Sequence, residues 1–238
     1  PFSFFLFIYK HSNTSSIIQT VATTMNRNIN ISVEGNIGSG KSTFLNELDK
    51  KLRVNVVQEP VDEWFKVKDE SGHSLFQNFY KEPSKYAFLM QMNILSTRYK
   101  TFMKHQTSFN ITNVFERSIF TDKHIFVPSL SEKNYLSSME QQVFHNVYDS
   151  IQSQTNNNIH GIIYLRCPPE VSYERINIRN REGEENIGFD YIEKIHNKHE
   201  DWLWNEKEVP VFMIDVSVKT ATECIREPLI SFLQKIEN

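Results

Sequence analysis

The eight residues GNIGSGKS, Gly35 to Ser42, constrain the fold more than any other part of the chain. They match the pattern G-x-x-x-x-G-K-[ST]. An alternating run, INISVE at 29–34, precedes them, and a helix-forming run at 41–52 follows. A loop of this spelling between strand and helix turns backbone N–H groups inward around phosphate oxygens. Gly35, Gly38 and Gly40 give the loop its freedom, and the helix N-terminus adds partial positive charge. In such a loop Lys41 would neutralise the β- and γ-phosphates and Ser42 would ligate Mg²⁺. Gly35, Asn36, Ile37, Gly38, Ser39, Gly40, Lys41, Ser42 and Thr43 form the candidate triphosphate site. A glycine-rich turn without a ligand is the alternative. The motif indicates the phosphate donor and says little about the acceptor.

The rest of the chain repeats the strand–helix alternation. VNVVQE (54–59), NITNVFE (110–116), GIIYLR (161–166) and VPVFMID (209–215) are short β-branched or aromatic runs, as buried parallel strands are. Helical patterns cover 41–52, 83–104, 137–153, 169–180, 189–204 and 221–236. Pro83 and Pro169 suit a first helical turn, where a missing N–H costs nothing. The alternation predicts an α/β fold, a parallel sheet with helices on both faces. Ligands of such sheets gather at the C-terminal ends of the strands.

At 238 residues the chain is long enough for one sizeable domain, and its formal net charge of −3 speaks against a general nucleic-acid binder. No apolar run is long enough to span a bilayer, so no membrane role is expected. PFSFFLFIY, at 1–9, lacks a basic region before it and a small-residue cleavage site after it. Met25 sits immediately before the first strand. Residues 1–24 are expected to be an extension outside the fold, with 25–238 a single domain. A degraded organelle-targeting segment is the minor alternative, weakened by the presence of one Lys and no Arg there. Cys167 and Cys224 lack CxxC spacing and point to a reducing compartment. The cytoplasm is expected, with the mitochondrion as alternative.

Three further segments concern the acceptor. QEP ends the second strand and aims Glu59 into the cleft, where a carboxylate of modestly raised pKa suits a general base. A surface or N-cap carboxylate is the competing reading. FERS ends the third strand: Glu116 is placed to hold the metal through water. Arg117 is placed to pair with Glu59 or to bind the sugar side, and an ordinary salt bridge is its alternative. YERINIRNREGEEN supplies Arg175 and Arg179, one helical turn apart, and Arg181. Arginines converging on a cleft stabilise charge on a transferred phosphoryl group, and the glycines and acids after them suggest a lid. A solvated basic helix end is the alternative. His196 and His199, in HNKHED, are read as a solvated helix face rather than a metal site.

Taken in order, EGNIGSGKSTFLNEL, EPVDEW, YKEPSKYAFLMQ, ERSIFTD, IIYLRCPPEVSYERI and YIEKIHNKHEDWL resemble the deoxyribonucleoside kinase family, from about residue 29 to 215. The resemblance implies a P-loop NTPase-type five-stranded parallel sheet flanked by helices, with a lid. It implies ATP with Mg²⁺ as donor, a deoxyribonucleoside as acceptor and a homodimer. Lys41 and Ser42 then take the triphosphate and Mg²⁺, Glu59 resembles the general base for the 5′-hydroxyl, and Arg117 its support. Trp64 resembles an aromatic wall of the nucleoside pocket, and Tyr80 with Glu184 the pair on the 3′-hydroxyl. Gln91 resembles the amide that reads the base edge, and Phe126 the ring stacked on it. Arg175, Arg179 and Arg181 match the lid arginines.

Gln91 and Arg98 lie two turns apart on one helix face, with Asp122 expected as the partner of Arg98. The Arg98–Asp122 pair resembles the deoxycytidine and deoxyguanosine kinases and favours deoxycytidine or a deoxypurine over thymidine. Met90, where the family usually has Phe, and Ile94, bulkier than its counterpart, alter the base pocket. Two rival functions share the cradle: a thymidylate-type nucleoside monophosphate kinase, and a non-catalytic nucleotide-binding member of the same fold.

Overall fold

The computed structural model describes residues 28–106, 110–155, 159–218, 220–225 and 227–237. The expected extension at 1–24 and Met25 lie outside the described residues. β1 (Ile29–Glu34) occupies the middle of the sheet, and its alternation serves two layers. Ile29, Ile31 and Val33 face a core shared with Phe44, Leu45 and Leu48. Asn30, Ser32 and Glu34 face the other way and are buried, so each needs a polar partner. Asn30 is paired in register with Asn113 of β3 (Thr112–Glu116), itself paired with Asn55 of β2 (Asn55–Val57). Their amides bond in a row, at 3.1 Å and 2.7 Å.

β4 (Gly161–Arg166) and β5 (Val211–Asp215) complete the order β2-β3-β1-β4-β5, all pairs parallel. The five-stranded parallel sheet is therefore the one the sequence predicts. α1 (Lys41–Lys51) leaves the loop after β1 and buries Phe44, Leu45 and Leu48 against that sheet. α2 (Val61–Lys66), α3 (Leu75–Lys81) and α4 (Pro83–His105) form a helical layer on the side of the cleft, built on Trp64, Phe76 and Leu95.

Ile119–Thr121, Asp122–Phe126 and Val127–Glu132 run on as one helical stretch, α5, whose middle segment is a π-helix. The Val127 N–H reaches back five residues to the Asp122 carbonyl. Pro128 explains the widening: its ring cannot sit over the carbonyl four residues earlier, so the preceding turn opens. α6 (Ser138–Thr155), α7 (Pro169–Arg179), α8 (Phe189–Asn205), α9 (Ala221–Cys224) and α10 (Glu227–Glu237) follow.

The helix expected at 221–236 is thus two, because Pro228 cannot donate the bond that would continue α9. α2, α3 and α5 are absent from the periodicity reading. α2 is too short for a period to show. α3 did carry a signal, the capping box of Ser74 and Gln77, which exchange bonds at 3.2 Å and 2.8 Å.

The solvated face expected for His196 and His199 does not hold for His199. It is fully buried on α8, parallel to the Tyr164 ring at 5.9 Å, with Nδ1 2.7 Å from the Ile195 carbonyl. Burial holds its pKa down at about 3, with Arg117, Lys41 and His196 acting in the same direction. Below pH 6.5 the unfolded chain takes up a proton here that the folded chain refuses. Stability is complete above that pH and is lost as pH falls toward 3. Relative to His199→Phe, the native chain should lose about 2 kcal/mol between pH 6.5 and about 5. Thermal melts of the two across that range check it, and parallel curves would contradict it.

Candidate active site

The loop between β1 and α1 stands at the C-terminal edge of the sheet. Gly38 and Gly40 take left-handed φ values of 79° and 91°, which lets the loop fold back on itself. No side chain caps α1, so the N–H groups of its first turn remain available to an anion. Lys41 is buried, and its Nζ donates to the carbonyls of Gly35 at 3.1 Å and Asn36 at 2.7 Å. Burial, then Arg117, brings its pKa down to about 7 against the pull of Glu116, Glu59 and Glu34. Phosphate oxygens are the ligand that would restore its full charge.

Other loop residues tie the loop to the helices behind it. Asn36 is buried and donates to the Ile192 carbonyl of α8 at 2.9 Å. Ile37 packs against Ile176, Ile187 and Ile192. Ser39 is buried. Gly38 lies so close to α7 that a Cβ there would sit 2.3 Å from the Ser172 carbonyl oxygen. Ser42 and Thr43 are exposed on the first turn of α1.

Glu59 follows β2 and lines, with Lys41, Ser42 and Gly38, a cavity of about 400 Å³. Arg117 Nη1 donates to both its oxygens, at 3.0 Å and 2.9 Å, while Nη2 donates to the Gly35 carbonyl at 3.2 Å. One guanidinium therefore ties the carboxylate to the phosphate loop. Arg117 holds a left-handed φ of 62°, unusual for a residue with a side chain, and its N–H bonds to the Val33 carbonyl at 3.1 Å. Arg98 adds a second donor to Glu59. Burial pushes the Glu59 pKa up, but Arg117, Arg98 and Lys41 outweigh it and bring it down to about 2. The modestly raised value expected from the sequence is reversed, because two buried guanidiniums face one carboxylate.

Ser42 Oγ donates to the Glu116 carboxylate at 3.1 and 3.2 Å. A hydroxyl beside a carboxylate, both at the mouth of the phosphate loop, is a hard-oxygen donor pair that fits Mg²⁺, which keeps several waters and substrate oxygens as ligands. Among the described residues, no group of three or more His, Cys, Asp or Glu is arranged to hold a metal by itself.

Trp64, Phe76 and Tyr80 form the cavity's aromatic wall, with Glu184, Arg179 and Arg181 across from them. Trp64 Nε1 is fixed by Thr97 at 2.9 Å. Burial pushes the Tyr80 hydroxyl pKa up, and the charge of Glu184 adds to it. Arg179 and Arg181 both reach Glu184, at 2.6 Å and 3.5 Å, and Gln77 of α3 bonds Glu182 at 2.6 Å. Arg175 does not join them. Its guanidinium meets the Cys167 thiol and donates to the Val216 carbonyl at 3.1 Å, close behind Gly40. Two of the three arginines therefore meet at Glu184: Arg175 is held by Cys167 and Val216, and the left-handed turn at Asn180, φ 46°, ends α7 before Arg181.

Gln91, Arg98, Asp122 and Phe126 are all buried, the first two on α4 and the others on α5, with Arg98 and Asp122 in contact. Gln91 is 2% exposed and Asp122 0%. The Gln91 Oε1 and both Asp122 oxygens accept no hydrogen bond. Arg98 Nε lies 3.3 Å from Asp122 Oδ2, as the expected ion pair requires. Phe126 sits under Arg117, with 5.2 Å from guanidinium carbon to ring centre. Met90 and Ile94 are buried beside Trp64. Glu34 is a functional neighbour that the sequence reading missed. It is fully buried at the end of β1 and accepts from Ser32 and Thr121, fixing the start of α5 against the loop.

Residues 31–236 match the family described as deoxynucleoside kinase. Over 189 residues the chain is 35% identical to a probable deoxycytidine kinase of Fowlpox virus, covering 79% of this chain and 77% of that protein. It is 34% identical over 216 residues to deoxycytidine kinase 1 of Xenopus laevis (79% and 82% covered). It is 28% identical over 242 residues to the mitochondrial deoxyguanosine kinase of the same species (87% and 90% covered). The chain belongs to the deoxynucleoside kinase family and is a deoxyribonucleoside kinase. Among the described residues, no helix is long and apolar enough to cross a membrane.

Proposed function

We propose that the chain transfers the γ-phosphoryl group of ATP to the 5′-hydroxyl of a deoxyribonucleoside, in nucleotide salvage, with deoxycytidine or a deoxypurine preferred to thymidine. The observation that carries this is the shared cavity: Glu59 and the phosphate loop line the same space, joined through Arg117. Lys41 neutralises the β- and γ-phosphates, and Glu59 accepts the hydroxyl proton while Arg117 holds it in place. Arg179 and Arg181 line the same cavity and supply positive charge to the moving group. Glu184, with Tyr80, is assigned to the sugar 3′-hydroxyl, and residues 180–188 to the lid. Ser42 and Glu116 would hold Mg²⁺, which when bound supplies charge neutralisation between the phosphates.

The base preference rests on the unmatched acceptors. Buried Gln91 Oε1 and Asp122 oxygens fit an exocyclic amino group, which thymine lacks. The names of the relatives, deoxycytidine and deoxyguanosine kinases, support it. We assign residues 25–238 to one domain and the chain to the cytoplasm, where its two buried cysteines would stay thiols. Exposed Leu89 on α4 and Met139 and Val143 on α6 support a homodimer.

A monophosphate kinase would need a cation free for the acceptor phosphate; Arg98, Arg117, Arg179 and Arg181 are engaged by carboxylates and Lys41 by the loop carbonyls. γ-Labelled ATP offered with deoxyribonucleosides and their monophosphates side by side tests the assignment. Label on nucleosides, deoxycytidine or a deoxypurine foremost, is expected. Label on monophosphates only, or bound ATP with no labelled product, would overturn it.

A further inference from the structure

Arg98 touches two carboxylates at once. Its Nη2 donates to Glu59 Oε1, and its Nε lies 3.3 Å from Asp122 Oδ2. Nη1 reaches the Ser118 carbonyl at 3.4 Å, and the Trp64 ring lies 6.0 Å from Cζ. The side chain is 5% exposed, so these contacts are made away from solvent screening. A single guanidinium joins the buried Asp122 carboxylate to the one facing the phosphate loop.

The two carboxylates are unequally served. Glu59 takes Arg117 through both oxygens and Arg98 besides. Asp122 is fully buried, and neither of its oxygens accepts a hydrogen bond, since Arg98 Nε is near but misaligned. A guanidinium carries five N–H donors in a rigid fork, so a small rotation trades one carboxylate for the other.

Building on the kinase function above, we propose that Arg98 is a positioning residue that couples base recognition to Glu59. A base that donates an amino N–H to Asp122 fixes Asp122 as an anion and draws Arg98 toward it, which leaves Glu59 free to accept the 5′-hydroxyl proton. The 5′ oxygen then bonds to the γ-phosphorus as the bond to the β–γ bridging oxygen breaks, ADP departs, and the proton stays on Glu59. A base presenting a carbonyl at the same place is served by a protonated Asp122, and Arg98 stays on Glu59. Base selection is then expressed in kcat as well as in KM.

The charges around the pair agree with this. Glu59 faces Arg98 of α4, Arg117 from the β3–α5 turn, Lys41 of α1 and Tyr80 of α3. At about 2 its pKa is too low for an effective base until one cation withdraws. Asp122 faces Arg98, Glu59, Arg117, Glu34 of β1 and Tyr148 of α6. Burial pushes it up to about 7 against Arg98, which leaves its proton within reach of a ligand's influence.

The test is a double-mutant cycle on the full chain with deoxycytidine as acceptor and saturating ATP, with kcat read from about pH 5 to about 9 and melts as folding controls. Asp122→Asn removes the charge that draws Arg98 away, and kcat should fall at least about tenfold. Adding Arg98→Met should raise kcat at least about fivefold over Asp122→Asn, because Glu59 then meets Arg117 alone. In Arg98→Met by itself kcat for thymidine should rise at least about tenfold relative to kcat for deoxycytidine, because no base then leaves a second cation on Glu59. A double variant no faster than Asp122→Asn, or an unchanged kcat ratio between the two bases in Arg98→Met, would overturn the coupling. If Asp122→Asn does not fold, the Arg98→Met ratio decides alone. A wild-type chain that phosphorylates no nucleoside would overturn the kinase function itself, and the coupling with it.

Discussion

Glu59→Gln should lower kcat by about 10²–10⁴-fold while MgATP still binds. The amide has nearly the shape of the carboxylate but cannot take a proton. Arg117 keeps its bond to the Gly35 carbonyl, and Arg98 keeps Asp122. The phosphate loop should therefore stay in place, and the loss should fall on the chemical step. Stability should drop as well, because two buried guanidiniums lose their shared anion, a change that costs about 3–5 kcal/mol when a buried pair is broken outright. The retained amide oxygen makes the lower end of that range the expected one. Turnover, MgATP affinity and a thermal melt, measured together, separate the effects. Unchanged turnover would remove Glu59 as the proton acceptor.

Gly38→Ala should weaken both MgATP binding and the fold. The position has a left-handed φ of 79°, and a Cβ would meet the Ser172 carbonyl oxygen at 2.3 Å and the Ile176 Cγ1 at 3.0 Å. The contact is with the backbone of Ser172, fully buried in the first turn of α7, so the loop must give way. Moving it displaces the N–H groups aimed at phosphate. We expect a loss of at least about tenfold in MgATP affinity, or ~1.4 kcal/mol, and of about 2–3 kcal/mol in stability. Gly72→Ala is the control. It has a similar φ of 85° with nothing within 4 Å, so it should cost only the backbone strain, about 1–2 kcal/mol, and leave nucleotide affinity alone. Equal affinity losses in the two variants would contradict the steric explanation.

Local features were the readable ones. The strand–loop–helix around Gly35–Ser42 is dictated within about 20 residues of chain, and each strand is a short apolar run. The pairing of Arg117 with Glu59 was one option beside a sugar contact and an ordinary salt bridge; the structure shows the pairing, from a left-handed turn at Arg117. What could not be read depends on distant elements meeting. The grip of Arg98 on Glu59 spans 39 positions and two elements, and it adds to Arg117 in reversing the expected pKa shift. Helical spacing put Arg175 with Arg179, but spacing says nothing about the turn at Asn180 that gives Arg179 the company of Arg181 instead. The π segment that carries Asp122 and Phe126 follows from Pro128, a residue outside every motif. Glu34 was passed over because nothing local says that its carboxylate turns inward to the hydroxyls of Ser32 and Thr121.

The most direct measurement is the identity of the product made from ATP and deoxycytidine, read by ³¹P NMR with proton coupling. Phosphorus coupled to the H5′ protons is the expected result, because Glu59 and the phosphate loop share one cavity. Phosphate on the 3′ oxygen, or tightly held ATP with no phosphorylated product from any deoxyribonucleoside, would contradict a carboxylate at 59 acting on a primary alcohol.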